Sequence, residues 1–338
     1  MKIKIIALFM MLFQLNLFGQ KKLIDIEKSD AYTTYNYPVS GVKPEDVIKL
    51  SIKDQGWANL DKIKSYKYVQ ELRIEKCEVT ELIIDFNQFP LLQSLYTMEC
   101  TFDTIIFRGN PVNFKYLYVY EKHLNNYDFL QQIGSLKEIY LADEKAIDME
   151  NLTKNLLQMN QLSSVYLSDG KINYLPESFG KLKSLSWLSL HNLDSTFDFG
   201  KAFNVIKNIE IEHLNLMYNF NSLGLSSDIR LMKKIKYLHI GNTNFETLPA
   251  EIGELTQLLE LDASMGSLST LPSSLVKLVN LKKLILMPCK FSNIPDVLFQ
   301  MTWLEELEVG GEEWFPSKTE LKPIRKALKK TKVNDYPE

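Results

Sequence analysis

Several function classes are excluded by what this 338-residue chain lacks. It has no basic surplus: the net charge is -3, so it carries no electrostatic footprint for nucleic acid. It has three cysteines, too few for a disulfide framework and without metal-ligand spacing. It has no Walker loop, no G-x-S-x-G elbow and no H-E-x-x-H helix. The tripeptide Asp198-Phe199-Gly200 matches a kinase metal motif in letters only, because no Gly-rich loop and no H-R-D segment precede it. Apart from one leader-like stretch, no run is apolar enough to span a membrane. Disorder is excluded as well, since 45% of residues are hydrophobic and 24% charged.

The apolar exception lies at the start. Lys2 and Lys4 precede Ile5–Phe18, interrupted only by Gln14 and Asn16, and small Gly19 leads to Gln20 and charged Lys21. This pattern predicts a secretory signal over 1–19, cleaved after Gly19 or Gln20, and a mature chain in the periplasm, at the cell surface or outside. No cysteine stands at the junction, which argues against a lipid anchor.

A repeat dominates the remainder. "LPAEIGELTQLLELDASMG" from Leu248, "LPSSLVKLVNLKKLILMPC" from Leu271 and "IPDVLFQMTWLEELEVGGE" from Ile294 follow one another at 23 residues, and "LPESFGKLKSLSWLSLHNL" from Leu175 belongs with them. Their shared core is L-x-x-L-x-L-x-x-N/C/T, numbered here as positions one to nine. Its first position recurs at Val47, Val69, Leu92, Phe114, Leu136, Leu162, Leu185, Ile211, Ile235, Leu258, Leu281 and Leu304, in steps of 22 to 26 residues.

This pattern resembles the leucine-rich repeat family, in its class of about 23 residues per unit with an "LPxxIGxLxxLxxLxL" consensus, over roughly Val47 to Glu312. The N-terminal half departs from it by lacking the "LP" signature. The leader ending in "FGQ" resembles bacterial ones of the Bacteroidetes style. The resemblance implies an α/β solenoid, a curved right-handed superhelix with a parallel sheet on the concave face and short helices or 3₁₀ turns on the convex face. The physics agrees. Positions four and six share one face of a strand, and a single unit cannot bury that face alone, so units must stack. The expected organisation is a signal at 1–19, an N-terminal cap at 20–46, about twelve repeats over 47–312, and a capping helix with tail at 313–338. Longer convex helices are expected near Ile147–Met159 and Phe197–Ile209, where the step reaches 26. In the last segment Leu321, Ile324 and Leu328 form one helical stripe, and Pro323 predicts a helix starting close to it.

Cys77, Cys100 and Cys289 all fall at position nine, where the family usually places an inward-bonding Asn, so buried thiols are expected there. Cys77 and Cys100 lie on successive units with Cα atoms about 5 Å apart, so their oxidation state is open. His191, His213 and His239 fall on three consecutive units at concave positions; their staggered places along the strands leave His191 and His213 too far apart to share an ion. No metal or other cofactor is expected.

The family reads ligands through positions three, five and seven. Position five carries Tyr96, Tyr118, Tyr140 and Tyr166 in four consecutive units; Tyr116, Trp187 and Tyr237 stand at position three and Tyr120 at position seven. With His213 and His239 these residues predict an exposed aromatic stripe for binding, or a self-stacking ladder that stabilises the sheet. The expectation is a non-enzymatic binder of a protein or peptide, alternatively of a cell-envelope glycan, because Tyr and Trp anchor protein interfaces and also stack on sugars. The segment "NFKYLYVYE", Asn113–Glu121, should sit at the stripe's centre with Tyr116, Tyr118 and Tyr120 facing out.

Overall fold

The structure, a computed structural model, describes residues 35–36, 41–53, 63–121, 124–143, 147–168, 171–220, 224–311 and 318–334. The expected signal at 1–19 and most of the expected cap at 20–46 lie outside them.

Sixteen strands are described: β1 Tyr35–Asn36, β2 Lys49–Lys53, β3 Glu71–Glu75, β4 Glu81–Asp85, β5 Ser94–Cys100, β6 Thr104–Arg108, β7 Tyr116–Glu121, β8 Glu138–Asp143, β9 Ser164–Ser168, β10 Trp187–His191, β11 His213–Asn215, β12 Tyr237–His239, β13 Glu260–Asp262, β14 Lys283–Cys289, β15 Glu306–Gly311 and β16 Lys332–Asn334. All but β4 and β6 form one fourteen-stranded sheet in chain order, paired parallel throughout. Each of the twelve expected units contributes a strand that begins two residues after its first apolar position. The sheet also extends past both ends of the repeat set, through β1 and β16.

The core explains the register. Position four is Leu, Ile or Val in every unit and is 0% exposed from Leu50 to Leu307, so each unit buries a full side chain against its neighbours, about 1.5–3 kcal/mol each. A rail of backbone bonds runs along the edge: the position-two carbonyl of each unit accepts both the position-two and the position-three N–H of the next, as in Gln70 to Ile48 at 2.8 Å and Glu71 to Ile48 at 3.1 Å. Position eight adopts a left-handed backbone in six units, with φ from 47° to 62° at Lys76, Glu99, Asn192, Tyr218, Asn242 and Met265, which turns the chain out of the strand. Position nine then reaches inward. Asn219 donates to the carbonyls of Leu190 (2.8 Å) and Leu216 (2.7 Å), while the Cys100 and Cys289 thiols donate to Ile74 and Ala263. All three cysteines are buried, and among the described residues none is joined in a disulfide.

The convex side follows local sequence. After Pro176, Pro249, Pro272 and Pro295 the chain forms one 3₁₀ segment each, and the third residue on (Phe179, Ile252, Leu275, Leu298) is buried. The consensus glycine has a steric reason: a Cβ on Gly253 would meet the Ser274 carbonyl oxygen at 2.5 Å, and one on Gly180 the Val205 carbonyl oxygen at 2.4 Å. The long returns are helices, α1 Met149–Leu156 and α2 Phe199–Ile206, capped by Asp148 and Asp198. The kinase-like aspartate is therefore a helix cap, accepting from the Lys201 N–H at 3.0 Å.

Two expectations are corrected. Where helical or 3₁₀ returns were expected after β3 and β5, β4 and β6 pair in parallel as a second, two-stranded sheet. Their β-branched runs favour strand, and Leu82, Ile84, Ile105 and Phe107 alternate inward. The C-terminal helix α3, Lys318–Ala327, starts before Pro323 rather than close to it, leaving the proline inside. An interior proline costs about 3 kcal/mol; burial of Leu321, Ile324 and Leu328 contributes roughly 1.5–3 kcal/mol each and outweighs it. β16 follows α3 and pairs with β15.

Candidate functional site: an aromatic ladder and a buried polar cluster

Parallel pairing aligns equal repeat positions into rows across the sheet. Row three runs Glu71, Ser94, Tyr116, Glu138, Ser164, Trp187, His213, Tyr237, Glu260, Lys283, Glu306. Row five runs Arg73, Tyr96, Tyr118, Tyr140, Tyr166, Ser189, Asn215, His239, Asp262.

Strand spacing of about 4.8 Å suits ring stacking. Tyr120, Tyr140, Tyr166, Trp187, His213 and Tyr237 form one continuous ladder over six strands. Its centroid distances are 4.5, 6.0, 6.0, 4.1 and 4.3 Å. The ladder drifts from position seven to position three and crosses between rows where a row offers a small residue. Ala142 lets Tyr120 lean onto Tyr140, and Ser164 with Ser189 lets Tyr166 meet Trp187. A shorter stack lies beside it, with Arg73 5.1 Å over Tyr96 and Tyr96 4.3 Å from Tyr118 at an interplanar angle of 2°.

Stacking consumes exposure, and this corrects the expected stripe. Tyr96, Tyr118 and Tyr140 retain only 7 to 8% of their surface, and His239 is buried too. Tyr116, Tyr120, Tyr166, Trp187, His213 and Tyr237 are half-buried, with part of each side chain in solvent. In "NFKYLYVYE" the central ring is therefore covered and the two outer ones are presented. Tyr118 donates to Glu138 Oε1 at 2.5 Å. Burial pushes the hydroxyls of Tyr118 and Tyr166 well above the usual phenol range, so both stay protonated donors, and burial also raises the Glu138 carboxyl.

Beyond Trp187 row five turns polar and buried. Ser189 Oγ lies 2.7 Å from His191 Nε2. Burial lowers His191 to about 4, opposed by its bond to Asn215 and aided by the nearby His239, so the imidazole is neutral. Burial pushes Asp262 upward, yet His239 Nδ1 at 3.8 Å and the Ser264 hydroxyl and N–H at 2.6 and 2.9 Å hold it below the usual carboxylate range. The sequence pattern puts His191 and His239 on the concave face but does not show that they form one cluster with Ser189, Asn215 and Asp262; the spacing of Ser189 and His191, two apart on one strand face, is the available signal. A serine–histidine pair could serve nucleophilic catalysis. Here Ser189 is 0% and His191 4% exposed, so the hydroxyl meets protein rather than substrate. His213 stacks between Trp187 and Tyr237 while His239 faces Asp262, so the two imidazoles belong to different rows. Among the described residues no three of His, Cys, Asp and Glu could together hold a metal ion.

Comparison with known proteins supports the same architecture. A family model described as "Leucine-rich repeat region" matches residues 201–326. No curated protein matches the sequence. Among solved structures, a leucine-rich repeat protein of Leptospira interrogans is similar over 86% of this chain and 90% of its own, at 19% identity and a TM-score of 0.53. An internalin (InlF) of Listeria monocytogenes is similar over 76% of this chain and 74% of its own, at 18% identity and a TM-score of 0.50. The matched region, the twelve-fold register and the parallel sheet agree: residues 201–326 match the leucine-rich repeat region family, and the chain has the leucine-rich repeat solenoid fold.

Proposed function

We propose that this protein is an exported, non-enzymatic binding protein that recognises a protein or peptide through its concave face. The solenoid is in general a scaffold for protein interaction. One observation carries the finer reading: six half-exposed aromatic side chains (Tyr116, Tyr120, Tyr166, Trp187, His213, Tyr237) lie on five strands between β7 and β12, β8 supplying only the buried Tyr140, and they are set on a buried, stacked floor. Such a surface is rigid before binding, so little entropy is lost on contact. Glycan recognition uses free ring faces. Here rings stacked at 4.1 to 4.5 Å cover one another's faces, which favours a polypeptide partner. Export rests on the leader at 1–19, outside the described residues. Among those described, no helix is long and apolar enough to cross a membrane.

The test is selection from a random dodecapeptide display library, with a glycan array in parallel. Binders to the native protein should lose about 2 kcal/mol, roughly thirty-fold in affinity, on a Tyr120→Ser/Tyr237→Ser variant. Binders indifferent to that variant, or capture of glycans with no peptide, would overturn the proposal.

A further inference from the structure

Within the aromatic region, row three contains one carboxylate, Glu138, between Tyr116 on β7 and Ser164 on β9. Its surroundings differ from those of the carboxylates near the two ends of that row. Glu71 meets Arg73 Nε at 2.7 Å and Lys49 Nζ at 3.6 Å, and Glu306 meets Lys332 at 3.1 Å and Lys283 at 3.9 Å. Glu138 is in no ion pair among the described residues; its carboxylate accepts from the Tyr118 hydroxyl at 2.5 Å. Lys115 and Lys137, which directly precede Tyr116 and Glu138, are partly and fully exposed respectively. The neighbouring ring is also distinctive. Tyr116 is half-buried and packs against the tyrosine cluster, but it joins neither of the two stacks that order the other rings. A π face and a half-buried carboxylate thus stand side by side on adjacent strands, about 4.8 Å apart.

We propose that Tyr116 and Glu138 form the seat for a cationic side chain, a lysine ammonium or arginine guanidinium, presented by the ligand. This rests on the concave-face reading above and names the chemistry it selects. The carboxylate supplies a charge with no counter-ion among the described residues, and partial desolvation strengthens its attraction for an incoming cation. The Tyr116 ring supplies the quadrupole that a cation prefers over its face. The Tyr118 hydroxyl fixes the carboxylate from the other side, so the seat is preorganised.

The probe is a single cation, Nα-acetyl-lysine methylamide, titrated against the full chain carrying ¹³C-labelled tyrosine rings and followed by NMR. Nα-acetyl-arginine methylamide is run alongside, and the Nε-acetylated lysine analogue is the neutral control. The charged probes should shift the Tyr116 and Tyr118 signals saturably, and the neutral one should not. Glu138→Gln keeps the acceptor for Tyr118 and should weaken the response at least about fivefold. Tyr116→Leu, at a ring outside the stacks, provides a second variant of the same sign. Equal response to the neutral analogue, or an unchanged response in both variants, would overturn the seat. If the cation binds here and the dodecapeptide selection yields nothing, the seat stands and the wider peptide reading fails. If peptides are selected without enrichment of Lys or Arg, and the probes do not bind, the peptide reading stands and the seat fails.

Discussion

Lowering the pH should destabilise this solenoid through one buried imidazole. His191 is 4% exposed, bonded by Ser189 and Asn215, and its pKa falls from 6.5 to about 4 because burial penalises the charged form. The folded value lies below the unfolded one. Between about pH 6.5 and pH 4 the unfolded chain therefore binds more protons, and stability drops as pH falls through that window. At about 1.4 kcal/mol per unit, a difference of about 2.5 units amounts to roughly 3 kcal/mol, complete near pH 4 and absent above pH 7. Asp262 does not share this window, since its depressed pKa keeps it ionised below the usual carboxylate range. The assay is urea unfolding followed by far-UV circular dichroism at several pH values between 7 and 4, for the native chain and for His191→Gln. Exposed carboxylates titrate equally in both, so the difference isolates His191. The native chain should lose roughly 3 kcal/mol more than the variant over that range. Parallel profiles would refute the assignment of His191 as a buried neutral group.

Two further outcomes follow from packing. Gly253→Ala should cost about 1–3 kcal/mol, because its Cβ would meet a backbone oxygen at 2.5 Å that cannot rotate away. Gly134→Ala, with nothing within 4 Å of its Cβ, should stay within about 0.5 kcal/mol, and equal thermal shifts would contradict the close-approach explanation. Thr97 occupies position six, where the other eleven units carry an apolar residue, and its buried hydroxyl has no hydrogen-bond partner among the described residues. Thr97→Val should therefore raise stability by about 1 kcal/mol in urea unfolding, and a loss of stability would mean the hydroxyl is satisfied.

The path from sequence to site was uneven. The leucine register is a local pattern, and it located all twelve strands because burial at positions one, four and six leaves only one way to stack the units. Return segments were less legible where propensity competed with the repeat: the runs around Ile83 and Ile106 chose strand over turn, and Pro323 was carried inside a helix by its buried neighbours. The rows of the concave face were readable too, since equal positions must align in a parallel sheet. The sequence thus determined which side chains share the face: the tyrosines, Trp187, the histidines and Glu138. It did not determine which of them meet solvent. That depends on how rings lean across small neighbours such as Ala142, Ser164 and Ser189, and on side chains supplied by units some 22 to 26 residues away. Only the tertiary structure decided that Tyr118 and Tyr140 form a buried floor while Tyr116 and Tyr120 stand at the surface, because a ring's exposure is fixed by its neighbours across the sheet and not by its own position in the strand.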